Sequence, residues 1–119
     1  MRYMMLIYSE SPRNPSARNY TGHWALMDEA ARKGVFVAAE PLPPVSTATT
    51  VRVQNGKPII TDGPFAETKE QLAGYYILDC ENLDEAIDWA AKIPFACEGV
   101  NSVEIRPMPG LSSRSEISS

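Results

Sequence analysis

An α+β domain built as a split βαβ with an inserted hairpin is predicted by three observations on this 119-residue chain. Two apolar strand-like runs, Tyr3–Ser9 and Leu72–Leu78, are each followed downstream by a segment of helical periodicity. Each of those segments leads into a further short strand. Between the two halves lies an Asn55-Gly56 pair flanked by β-branched runs, which marks a hairpin because both central positions of a type I′ turn need positive φ. The order β-α-β, hairpin, β-α-β is ferredoxin-like, with both helices on one face of an antiparallel sheet.

Tyr3–Ser9 is apolar at nearly every position, and a Ser/Pro/Asn loop follows it to Ser16. From about Ala17 to Lys33, Tyr20, Trp24, Met27 and Ala31 recur at helical spacing, and Gly34 after Arg32-Lys33 is a C-terminal signature. Val35–Ala39 is a short strand stopped at Glu40-Pro41-Leu42-Pro43-Pro44. Thr47–Gln54 and Lys57–Thr61 form the hairpin. Asn82-Leu83-Asp84-Glu85 has capping-box spacing and opens a helix that carries Leu83, Ala86, Ile87, Ala90 and Ile93 inward and ends before Pro94. Asn101–Arg106 is the last strand. Residues 1–107 are read as one domain and 108–119, rich in serine, as a disordered tail.

A half-exposed sheet should alternate apolar and polar residues, yet Tyr3–Tyr8 and Leu72–Leu78 are apolar on both faces. Two helices can cover only one face. A homodimer packed sheet to sheet is therefore expected, since large bare apolar patches are rare. The composition fits a small globular protein: 44% hydrophobic, net charge −4, no run of about 20 apolar residues as a membrane span requires. Scattered Arg and Lys among a surplus of acids argue against nucleic-acid binding. Nothing at the start reads as a signal peptide, which makes a cytoplasmic location the expectation. Cys80 and Cys97 lack metal spacing and read as thiols of a reducing compartment.

The segment Asp62-Gly63-Pro64-Phe65-Ala66-Glu67-Thr68-Lys69-Glu70-Gln71 forces a turn at Gly63-Pro64 and sets ionisable groups beside it. Phe65 reads as an anchor beneath that loop. Asp62 either caps the turn or serves as a general base or an orienter of His23, the sole histidine. Lys69 suits a substrate carboxylate or phosphate, with Glu67 as its pair, and Glu40 ends a strand beside the same cleft. The other reading of these charges is a solvated loop. No phosphate loop or nucleophile elbow occurs, and neither a cofactor nor a metal site is expected.

Taken together, Glu40-Pro41-Leu42, Thr47 to Arg52, Asp62 to Gln71, Gly74-Tyr75-Tyr76-Ile77-Leu78, Asp84-Glu85-Ala86, Trp89-Ala90-Ala91, Ile93-Pro94 and Val103-Glu104-Ile105-Arg106-Pro107 resemble the YCII-related family, in its DGPF branch. The resemblance covers nearly all of Met1 to Pro107. It implies a ferredoxin-like dimeric α+β barrel. Relatives carry a proposed His–Asp dyad; His23 matches its first position, and Ile93 stands where the Asp would be. Two functions follow as expectations. One is acid–base catalysis, isomerase- or lyase-like, on a small organic molecule by His23 and Asp62, with Glu40, Glu67 and Lys69 binding substrate. The other is a non-catalytic ligand-binding or regulatory module, linked through the resemblance to extracytoplasmic-function sigma-factor systems. A purely structural dimer is the third.

Overall fold

The computed structural model describes residues 1–10, 20–66, 68–97 and 99–110. Its elements run β1 (Arg2–Ser9), α1 (Thr21–Arg32), β2 (Phe36–Pro41), β3 (Thr49–Gln54), β4 (Lys57–Asp62), β5 (Gln71–Asp79), α2 (Leu83–Ala96) and β6 (Ser102–Met108), with one 3-10 turn at Val45–Thr47. Four strands form an antiparallel sheet in the order β2-β5-β1-β6, and β3-β4 stand apart as a two-stranded sheet. Each helix thus connects two strands that have a third strand between them. That is the split βαβ arrangement of a ferredoxin-like α+β fold.

Residues of β1 alternate in burial along the strand. Tyr3, Met5 and Ile7 join Tyr76 and Leu78 of β5 under Leu26 and Ala30 of α1 and Ala86, Trp89 and Ile93 of α2. The other sheet face carries the rows Glu40–Tyr75–Leu6–Glu104 and Ala38–Ile77–Met4–Arg106, read from the strand registers. Met4, Leu6, Tyr75 and Ile77 are only half-buried there. Both helices pack on the first face, so among the described residues the second is open, with an apolar middle and charged margins.

Helix α1 turns a different stripe inward from the one expected. Leu26 and Ala30 are buried, whereas Trp24 is 60% exposed. Gly22 explains the rotation. A Cβ there would lie 1.6 Å from the Ala96 carbonyl oxygen, so the Gly22 side of the helix must be the side that meets α2. Residues one and two turns further along that side are Leu26 and Ala30. Farther down, the helices are latched by Glu29, which accepts from Lys92 at 2.9 Å and Lys33 at 3.4 Å. Both ammonium groups also lie over the Trp89 ring.

Helix α2 begins as expected, with the Asn82 side chain accepting from the Glu85 N–H at 2.9 Å. It then runs through Pro94 to Ala96 instead of stopping. Proline removes the one bond its N–H would have made, but the Cys97 N–H still reaches the Ile93 carbonyl at 2.9 Å. Leu83 and Ile87 are exposed, and Trp89 takes the inward position between Ala86 and Ile93. Strand β6 likewise continues past Arg106, with Pro107 opposite Tyr3 and Met108 opposite Arg2. The expected tail beyond Gly110 and the expected start of α1 at Ala17 lie outside the described residues.

In the hairpin, Asn55 and Gly56 have φ of 51° and 76°, the positive values that the turn demands. The Gly63 N–H donates to the Ala48 carbonyl at 2.7 Å and the Thr50 hydroxyl to the Gly63 carbonyl at 2.8 Å, closing the base. Phe65 is not buried under the loop. It is 74% exposed, with the Arg52 guanidinium 4.9 Å from its ring.

Candidate functional site

The C-terminal end of β1, the start of β5 and the start of β6 share one edge of the sheet, where Ser9 faces Gln71 and Tyr8 faces Ser102. Helix α1 starts and α2 ends at that same edge, held together at Gly22 and Ala96. Three side chains from three elements converge there. His23 comes from the first turn of α1, Tyr76 from the helix-facing side of β5, and Cys97 from the residue after α2. The Tyr76 hydroxyl lies 2.7 Å from His23 Nδ1, and Cys97 Sγ lies 3.1 Å from the same nitrogen. The rings of His23 and Tyr76 are 5.8 Å apart. The Tyr20 ring, 6.2 Å from the imidazole, carries a buried hydroxyl with no hydrogen-bond partner among the described residues.

Burial sets the protonation of this cluster. It pushes the Cys97 thiol up to about 11, and the Tyr76 hydroxyl is raised for the same reason, with the adjacent thiol contributing. Both groups therefore remain protonated at neutral pH and can donate to Nδ1, in which case a neutral imidazole carries its proton on Nε2. A phenol hydroxyl also accepts. If Nδ1 carries the proton, the Tyr76 oxygen can take that hydrogen bond and pass its own O–H toward Cys97 Sγ. Either tautomer of His23 is supported.

The other expected site residues are distributed around this centre. Asp62 is exposed at the end of β4, opposite Thr49 in the hairpin. Lys69 forms a long ion pair, 3.9 Å, with Glu10 at the end of β1. Glu40 is exposed and lies opposite Tyr75, which puts it on the open face with the sheet between it and His23. Glu67 lies outside the described residues. Tyr76 and Cys97 are thus among the partners of His23, and none of the described contacts joins it to Asp62, Glu40 or Lys69. Also among the described residues, no three His, Cys, Asp or Glu side chains converge as a metal would require.

Sequence reading missed Cys97, treated as an inert thiol, and Tyr76, treated as core. The signal was weak because Cys97 and Tyr76 stand 74 and 53 positions from His23. Reading α2 as ending before Pro94 also hid the fact that Cys97 lies one helical turn beyond Ile93.

A second polar cluster lies on the open face near the same edge. A groove of about 340 Å³ is bordered by Tyr8, Glu70, Ser102 and Glu104. The Tyr8 hydroxyl donates to Glu104 at 2.9 Å and the Ser102 hydroxyl to Glu70 at 3.1 Å. The hydrogen bond to Glu104 is the main reason that the Tyr8 hydroxyl titrates above its ordinary range.

Sheet order, helix placement and the imidazole-centred cluster together define a small α+β domain with its polar chemistry at one edge of a four-stranded sheet. The chain belongs to the YCII-related domain family, whose model matches residues 1–109. It is also similar to an uncharacterized protein of Rhizobium meliloti (strain 1021), 37% identical over 114 residues, which covers 91% of this chain and 92% of the relative. No helix among the described residues is long and apolar enough to cross a membrane.

Proposed function

We propose that this protein is a cytoplasmic homodimer that binds a small organic molecule at the His23 edge and moves a proton on it. The observation that carries the reading is the 2.7 Å contact between the Tyr76 hydroxyl and His23 Nδ1. It fixes the orientation of the imidazole, the side chain best suited to acid–base work near neutral pH. The Tyr20 hydroxyl beside the imidazole, without a hydrogen-bond partner among the described residues, supports a ligand-accepting role, because a buried hydroxyl left unpaired costs about 1–3 kcal/mol. Asp62 and Lys69 form the charged rim in this reading, on the segment that enters β5 at the same edge. Glu40 belongs to the margin of the open face, where the second copy packs sheet to sheet to give the dimeric α+β barrel.

The test is a panel of small cyclic and anionic organic acids, followed by proton exchange and product formation in NMR. His23→Ala is expected to remove turnover, and Tyr76→Phe to slow it about 10²-fold, at the lower end of what a positioned acid–base group contributes. Asp62→Asn separates rim from centre: loss of turnover with retained binding would move Asp62 to the centre. Full activity in His23→Ala would overturn the reading.

A non-catalytic ligand-binding module is the second reading. Ile93, at the position of the second dyad acid, is fully buried in the core and supplies no carboxylate. Saturable binding at this edge, without turnover on any compound, would select it.

A further inference from the structure

The β3–β4 hairpin is a two-faced ribbon. Cross-strand pairing puts Val51 opposite Ile60 and Val53 opposite Pro58 on one side, and Arg52 opposite Ile59 and Gln54 opposite Lys57 on the other. The first side is apolar beyond the Thr49–Asp62 pair at its base, and it is bare: Val51, Val53 and Ile60 are 60%, 72% and 69% exposed. An isolated two-stranded hairpin is marginal in water, so an ordered ribbon with one apolar face calls for a surface to lie on.

We propose that this hairpin is an arm that closes over a second copy of the chain, with its Val51–Val53–Ile60 face on the margin of that copy's open sheet face. The proposal rests on the sheet-to-sheet dimer above and specifies what completes it. Area is the first argument. Four strands about 4.8 Å apart and about 25 Å long give a face of about 500 Å² in plan. A stable interface needs about 800 Å² from each partner. The arm's apolar face, six residues or about 20 Å long and about 10 Å wide, adds about 200 Å² as it is laid down, which brings each copy's share to about 700 Å², close to that need.

Charge is the second argument, and it decides which side faces down. Arg52 and Lys57 stand on the other side of the ribbon, so laying the Val51–Val53–Ile60 side on the partner leaves both cations in water, whereas the reverse orientation would bury them. Each arm also springs from the Asp62 loop, so docking would hold that loop, with Lys69, at the edge where His23 lies.

Sedimentation across nanomolar to micromolar concentration tests this with three proteins. Wild type is expected to be a dimer. Val51→Lys/Ile60→Lys, on exposed positions, is expected to keep the wild-type circular dichroism and to weaken the dimer at least 100-fold. Leu6→Lys, on the open face, should do the same. A wild-type dimer unaffected by the arm substitutions but broken by Leu6→Lys overturns the arm and keeps the sheet-to-sheet dimer. A wild-type monomer overturns both.

Discussion

At the scale of single residues the centre of interest is Cys97. Its thiol is 5% exposed, and burial lifts its ionisation from 9.0 to about 11. Because the folded value is the higher one, an unfolded chain loses this proton first as pH rises. Native stability is therefore full below pH 9 and falls as pH climbs toward 11. Denaturant midpoints at pH 8 and pH 10.5 are expected to show that fall, and Cys97→Ala to make it shallower; Cys80, Tyr76 and Tyr8, also raised, act in the same direction. The same burial predicts slow alkylation of Cys97 at pH 8 in native protein and fast alkylation in denaturant. A nucleophilic cysteine would do the opposite. Slow native alkylation would leave proton exchange, in the proposed reaction, to His23 and not to the thiol.

At the scale of elements, two capping and turn signals act as their chemistry demands. Asn82 caps α2 through its side chain, and Asn82→Ala is expected to cost about 1 kcal/mol in chemical denaturation. Asn55-Gly56 closes the hairpin with positive φ at both positions. These features depend on neighbours in sequence and were legible there. The facing of α1 was not. Tyr20-Trp24-Met27-Ala31 and Leu26-Ala30 are both spaced as helical stripes, and only the contact of Gly22 with Ala96, 74 residues away, chooses between them. Gly22→Ala would drive a Cβ into a backbone carbonyl that cannot rotate away as a side chain can. A loss of about 1–3 kcal/mol or more is expected, along with displacement of His23, one residue on, from Tyr76. Heteronuclear NMR of the His23 ring would register the second effect separately.

At the scale of the whole molecule, the strand order and the two-layer arrangement were predictable because they follow from element order and from right-handed connections. The site was legible only in part. His23 stood out as the sole histidine, but its partners come from β5 and the end of α2 and carry no local pattern. The charged loop after the hairpin drew attention to Asp62, which the described contacts leave on the ribbon's base. The doubly apolar central strands remain the strongest global signal. If they are covered by a second copy, thermal midpoints should rise with protein concentration, since association stabilises only the folded form. A midpoint constant over a hundredfold range would argue against the dimer.

The placement of β1 also bears on how the chain is made. It lies between β5 and β6, so this strand is made before either of its neighbours, which begin at Gln71 and Ser102. For most of synthesis, Met4, Met5, Leu6 and Ile7 have no neighbour of their own to pair with, and an unpaired apolar strand is a template for wrong partners. The sheet closes only when Met108 is free. Overproduction should therefore be limited by nascent-chain aggregation more than by the stability of the finished fold, and slower translation or lower temperature should raise the soluble yield.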